Sequence, residues 1–217
     1  MAERTGQFRV YRVVESVPHI NLQAVDSPRL YTVYQSGYAD ALQSVVDDLE
    51  TGDRIAATLA GDPDDDQEPW RLTDVERVGG VDVGFAVDVD PPAVAADLWD
   101  EESTGPAFAV LTEDDERVGV CGVQPREPLP DGAFVPGVLT GLVPLEDVLS
   151  SLPEVGAPAA EALFLDPDPP DARRYDAPYG VVVLFTAAAE SLPERFRERY
   201  DCPRGTDTRP EFDPYGV

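Results

Sequence analysis

Alternation of apolar and polar residues marks most of the chain as strand. "FRVYRVVES" (8–16) is rich in aromatic and β-branched residues and reads as a strand, with "RLYTVYQSG" (29–37) as its expected partner. In "DRIAATLAGD" Ile55, Ala57 and Leu59 alternate with Arg54, Ala56 and Thr58. "WRLTDVERV" resumes the alternation after "GDPDDDQEP". The pair therefore predicts a hairpin with a long polar tip at 61–69, and Trp70 opens the return strand. "VDVGFAVDV" (81–89) is another strand, and "PAFAVLTEDDERVGVCGVQP" a second hairpin with "TEDDER" at its tip. "EALFLDPDPPDARRYDAPYGVVVLFTA" is a third hairpin-like unit with a long, proline-stiffened loop. Its last strand, 180–186, is almost wholly apolar and belongs in the centre of a sheet.

Helical spacing is rarer. Tyr38, Leu42, Val45, Val46 and Leu49 predict one helix, stopped near Gly52. "DPPAVAADLWDEES" predicts a short one with Asp90 as N-cap and Pro91 in the first turn, and Val94, Ala95 and Leu98 on its apolar face. "FVPGVLTGLVPLEDVLSSLPE" reads as a broken strand, then a helix on Leu145, Val148, Leu149 and Leu152. "SLPERFRERYD" closes the pattern as a helix, with Ser191 and Glu194 at capping-box spacing.

Strands outnumber helices and are joined by short polar tips. The expected class is α+β: a mainly antiparallel sheet built from hairpins, with three or four short helices. No flexible linker interrupts the chain, so one domain over 1–202 is expected, with a small β-barrel over 1–90 as the alternative division. Residues 203–217 lack periodicity and are expected to be loosely held.

Composition changes the picture in one respect. Of 217 residues, 43 are acidic and 16 basic, a net charge of −27, and every basic residue is Arg. The carboxylates are spread over nearly all loops and helix faces rather than gathered in a tail. That distribution suits a folded protein in concentrated salt, which confines like-charge repulsion to about 3 Å at 1 M. "ALFLDPD" and "APYGVVVLF", on this background, resemble segments of haloarchaeal proteins that have no known activity. The resemblance implies a saline archaeal cytoplasm and designates no functional residue. The opening "MAERTGQFRV" has no basic-then-apolar leader, and the longest apolar run, 179–189, is far short of the ~20 residues a membrane span needs. A cytoplasmic protein without a membrane partner is expected.

The charge also devalues acidic motifs. "DPDDD" (62–66) and "DPDPPD" (166–171) offer hard oxygen ligands, but neither has the spacing of a calcium loop, and both read as solvated turns. No metal site and no cofactor is expected. His19, the only histidine, reads as a loop residue. Cys121 lies within an apolar strand, where burial would leave its thiol inert. No nucleophile elbow, phosphate loop or zinc motif occurs, so no catalytic residue is assigned. A barrel carrying Phe8, Tyr11 and Trp70 could stack bases, but −27 opposes phosphate, and nucleic acid is not expected as a partner.

The exception to this blandness is "DARRYDAPYG" (171–180). Arg173 and Arg174 are adjacent in a chain poor in cations, and Tyr175 and Tyr179 stand beside them. Arg presents a fork of donors to carboxylate or phosphate, and Tyr a flat face. These four are the candidate ligand- or partner-binding residues. The rival account pairs both arginines with neighbouring Asp. The expected function is a non-enzymatic interaction or accessory module with a protein partner. An enzyme or small-ligand binder with a pocket near 171–180 is the second reading, and a nucleic-acid-binding barrel the third.

Overall fold

The structure is a computed structural model that describes residues 2–65, 68–101, 104–127, 129–152 and 154–213. It divides into two compact units, 1–80 with 138–144 and 81–137 with 145–217. No linker marks the first division because strand β5 ends at Gly80 and strand β6 begins at Asp82.

The first unit holds β1 (Ala2–Arg12), β2 (His19–Ala24), β3 (Leu30–Tyr34), α1 (Asp40–Asp47), β4 (Asp53–Gly61) and β5 (Arg71–Gly80). The sheet order is β3-β2-β1-β4-β5 with antiparallel neighbours. It then closes on itself. Val33 bridges Trp70 in parallel, the Trp70 amide donates to the Thr32 carbonyl at 2.8 Å, and the Tyr34 amide donates to the Trp70 carbonyl at 3.1 Å. This five-stranded barrel, with its helix between β3 and β4, has the connectivity of OB-type barrels.

Period-2 alternation fills the interior. Val10, Ile20, Leu22, Val33, Ile55 and Leu59 are fully buried, and Phe8, Tyr31 and Trp70 meet edge to face at 5.7 and 5.3 Å. Two expectations are corrected here. The partners of β1 are β2 and β4, not residues 29–37, and His19 lies in a strand rather than a loop. In "HINLQA" Ile20 and Leu22 point inward, leaving His19 half-exposed against the Tyr34 ring at 5.9 Å. Helix α1 is shorter than its pattern: Val46 and Leu49 are buried, Val45 is exposed, and the C-cap is Asp48. Gly52, at φ 100°, instead makes the turn into β4, a conformation that favours glycine.

Residues 138–144 cross the outer wall of this barrel as a strap. The Thr140 carbonyl accepts a bond from Asn21 Nδ2 at 2.9 Å. Gly141, at φ 75°, lies so close that a Cβ would come 2.9 Å from Leu30 and 3.2 Å from Tyr11. Tyr11 and Asn21 are cross-strand neighbours, and both alternate with core residues, so this is the solvent side of β1–β3.

The second unit holds β6 (Asp82–Val87), α2 (Ala93–Leu98), β7 (Ala107–Glu113), β8 (Glu116–Pro125), the start of α3 (Phe134–Leu139), α4 (Glu146–Ser150), β9 (Glu161–Asp166), β10 (Tyr179–Phe185) and α5 (Leu192–Tyr200). Its sheet order is β6-β9-β10-β8-β7; β6 and β9 are parallel and the other pairs antiparallel. The class is thus α+β with mainly antiparallel sheets. Central β10 is buried throughout, as its composition predicts. Asp114 and Asp115, at φ 49° and 67°, make a tight two-residue turn between β7 and β8.

Helices depart from expectation at three further places. "FVPGVL" is a helix, not a strand: Phe134, Val135, Val138 and Leu139 are fully buried at helical spacing, and Pro136 sits in the first turn. The N-cap of α2 is Pro92, not Asp90, because a residue preceding proline is held extended and two prolines in a row delay the helix. Ser191 does not form a capping box. The Glu113 carboxylate, arriving from β7, accepts the Glu190 and Ser191 amides at 2.8 and 2.9 Å and the Ser191 hydroxyl as well.

Among the described residues after Cys202 there is no helix or strand, yet contacts tie the segment 203–213 down. Arg204 pairs with Glu161 and Glu194, the Gly205 amide donates to Asp82, and the Phe85 amide of edge strand β6 donates to Thr208 Oγ1 at 2.8 Å. No described helix is long and apolar enough to cross a membrane.

Candidate functional site

The loop between β9 and β10 is built on a buried cation. Arg126, just past the end of β8, is 6% exposed. It reaches Asp166 at 2.5 Å and Asp168 at 2.9 Å, and it donates to the carbonyls of Ala177 at 2.7 Å and Gly132 at 2.9 Å. Asp166 and Asp168 are themselves buried. Their remaining lone pairs are met by backbone amides: Asp168 to Asp166, and Asp176 and Ala177 to Asp168, each at 3.0 Å. Two carboxylates on one guanidinium leave a net negative charge, which these amides offset. The run "DPDPPD" is therefore not the solvated turn expected: its first two Asp residues fix the loop from within, and of its three Asp residues only Asp171 is exposed.

Tyr175 covers this network. The Arg126 guanidinium stacks on its ring at 4.0 Å, and its hydroxyl donates to the Pro170 carbonyl at 3.4 Å. Burial raises the Tyr175 phenol above its ordinary pKa, with nearby Arg126 opposing the shift. The Ala172 amide closes a turn on the Pro169 carbonyl at 3.2 Å. Between that turn and the Tyr175 lid stand Arg173 and Arg174. Both are exposed, and among the described residues neither has a hydrogen-bond or ion-pair partner. Among the described residues the pairing with Asp168, Asp171 or Asp176 that the sequence allowed does not form: Asp168 serves Arg126, and Asp171 and Asp176 make no ion pair with either arginine.

Tyr179 is elsewhere. It is a core residue, 7% exposed, tilted against Trp99 at a ring distance of 5.1 Å, and burial raises its phenol. Of the four candidates the loop thus groups Arg173, Arg174 and Tyr175 and leaves Tyr179 out. The sequence does not single out Arg126, and Asp166 and Asp168 read there only as part of a solvated turn. One available signal was Asp166 at the end of the apolar run "ALFL", where a strand carries it inward.

A second feature lies in the first unit, a cleft of about 330 Å³ on the barrel. Its walls include His19, Arg29, Tyr31, Trp70 and, from the β4–β5 tip, Asp62, Asp65 and Glu68. Asp62, Asp64 and Asp65 are exposed, as expected of a wet turn; Asp66 lies outside the described residues. No group of three or more His, Cys, Asp or Glu among the described residues is placed to hold a metal ion. Cys121 is fully buried, and desolvation pushes its thiol up to about 12; Cys202 is also buried and raised by desolvation. Compared with protein-family models and with curated proteins, the chain matches none.

Proposed function

We propose that this chain is a non-enzymatic interaction module of a salt-rich cytoplasm, and that Arg173 and Arg174 are its grip on an anionic group of a protein partner. One observation carries the reading. Among the described residues two exposed arginines stand unpaired, in a chain of net charge −27, on a loop that a buried network holds in one shape. A guanidinium fork suits carboxylate or phosphate, and a loop already ordered loses little entropy on binding. In molar salt, long-range repulsion by the surrounding carboxylates is screened, so short-range forked contacts decide affinity.

The test is capture from lysate in molar KCl with wild type and Arg173→Ala/Arg174→Ala as baits, scored by mass spectrometry. A specific set of proteins held only by wild type supports the reading. Identical recoveries from both baits, with both baits folded, would sink it.

The barrel cleft favours a second reading, a binder of small cationic ligands, since Asp62, Asp65 and Glu68 and the aromatic residues Tyr31 and Trp70 are among its lining. Glu68→Gln with Asp65→Asn would then weaken binding of such a ligand without changing the fold. Oligonucleotide binding has less support: the strap covers part of the outer β1–β3 wall, and the net charge opposes phosphate.

A further inference from the structure

The two edges of the second unit's sheet are treated differently. The β6 edge is guarded by the C-terminal segment, through the bond from the Phe85 amide to Thr208. Among the described residues the β7 edge carries no such cover. Its outward groups can be identified from the neighbouring ladder. The Thr186 amide donates to the Val118 carbonyl, and the Arg126 amide to the Pro178 carbonyl, so even-numbered positions along β8 turn toward β10. Odd-numbered β8 positions then turn toward β7, and their partners there are Ala107, Ala109 and Leu111. The N–H and C=O groups of Phe108 and Val110 therefore point away from the sheet. Among the described residues no backbone bond outside the β7–β8 ladder reaches them.

Natural edges are usually protected by charge, proline or a bulge. In a chain that is 27% charged, residues 106–112 (PAFAVLT) carry no charge at all. The bulge between Leu111 and Thr112 spares the regular stretch 107–111. We propose that this edge is an interface and that its occupant is a second copy of the same strand, paired antiparallel about a two-fold axis at Ala109.

The register supports that occupant. With the axis at Ala109, Phe108 of one copy faces Val110 of the other, and the two exchange N–H···O=C bonds, using the groups the fold leaves open. The two Ala109 residues form the non-hydrogen-bonded pair on the axis, where side chains approach most closely and small ones fit. Ala107 then faces Leu111. Glu113, the first charged residue of the strand, faces Gly105, and it is already engaged with Ser191. No carboxylate faces a carboxylate along the paired stretch, so the like charge of the two copies does not meet at the seam. The result is an isologous dimer with one continuous sheet.

Light scattering coupled to size exclusion, run over a protein concentration series in molar KCl, tests this. Wild type should reach twice the chain mass as concentration rises. Val110→Pro removes an N–H that no internal bond uses, at an edge position where proline is tolerated. It should stay monomeric at every concentration, with the melting temperature of dilute wild type. Amide hydrogen exchange on wild type decides the matter independently of how that variant folds. The Phe108 and Val110 amides should exchange more than tenfold more slowly in concentrated than in dilute samples. A wild type that is monomeric throughout, or these two amides exchanging equally fast at all concentrations, would overturn the proposal.

Discussion

Replacing Arg126 by Met should unfold the loop between β9 and β10 and destabilise the second unit severely. The substitution leaves Asp166 and Asp168 buried without their cation. It also strips the carbonyls of Ala177 and Gly132 of a donor and takes the stacked guanidinium from Tyr175. Removing one member of a buried ion pair costs about 3–5 kcal/mol, mostly because the remaining charge is stranded. Backbone amides still serve both carboxylates, which argues for the lower half of that range. The lost stacking adds back about 0.5–1 kcal/mol. A net loss of about 4 kcal/mol, at a urea slope of about 2 kcal/mol per M, moves the midpoint down by about 2 M. Urea is the suitable denaturant because it leaves ionic strength fixed. Trp99 fluorescence, in a Trp70→Phe background, reports on the second unit through its contact with Tyr179. Arg126→Lys keeps a charge but loses the fork, so its midpoint should fall between the two. Arg173→Ala/Arg174→Ala should move the midpoint by less than about 0.5 kcal/mol equivalent, since both side chains are exposed and unpaired. An Arg126→Met loss under about 1 kcal/mol would show that the loop is held by something other than this network.

Three further outcomes are expected. Circular dichroism melts across a KCl series should show the fold weakening sharply below roughly 0.5 M, where repulsion among the carboxylates reaches beyond about 4 Å; a melting temperature independent of salt would remove the halophilic reading. A thiol reagent at pH 8 should label neither Cys121 nor Cys202 in the native state and both after unfolding, because burial keeps both as thiols, Cys121 up to about 12. Glu113 should titrate below the ordinary glutamate range, chiefly because the Ser191 hydroxyl donates to it and then because of the Glu190 amide; its contribution to stability is present above the ordinary value and lost as pH falls through the lowered one. Carbon-13 NMR of that carboxyl should show its pKa rising in Ser191→Ala, and an unchanged value would disprove the cap.

Much of the strand pattern was legible because period-2 alternation is a local signal. The β4–β5 hairpin could be read from Ile55, Ala57, Leu59 and the return at Trp70, and central β10 from its unbroken apolar run. Short apolar segments were ambiguous: "FVPGVL" fits either period over six residues, and only its surroundings make it α3. Strand β2 was missed because Pro18 and the lone histidine suggested a loop, while Ile20 and Leu22 gave only two inward points. Non-local pairing was invisible altogether. Nothing near Ser191 announces that Glu113 will cap its helix, and nothing near Arg126 announces Asp166 and Asp168. The candidate site was found by an anomaly of composition, two arginines together on an acidic background. Its foundation could not be, since acidic residues that serve Arg126 look the same in sequence as those that face water.

The strap over the barrel has a consequence for how the protein is made. All five barrel strands have been synthesised by Gly80, but the residues that cover Tyr11, Asn21 and Leu30 follow about 60 residues later, which is several seconds at about 5–20 residues per second. During that interval a nascent barrel leaves Tyr11 and Leu30 uncovered on its outer wall, and Thr140 is not yet there to receive Asn21. The first unit to be translated is thus finished only after much of the second has begun, and its last stitch is placed from the middle of the chain.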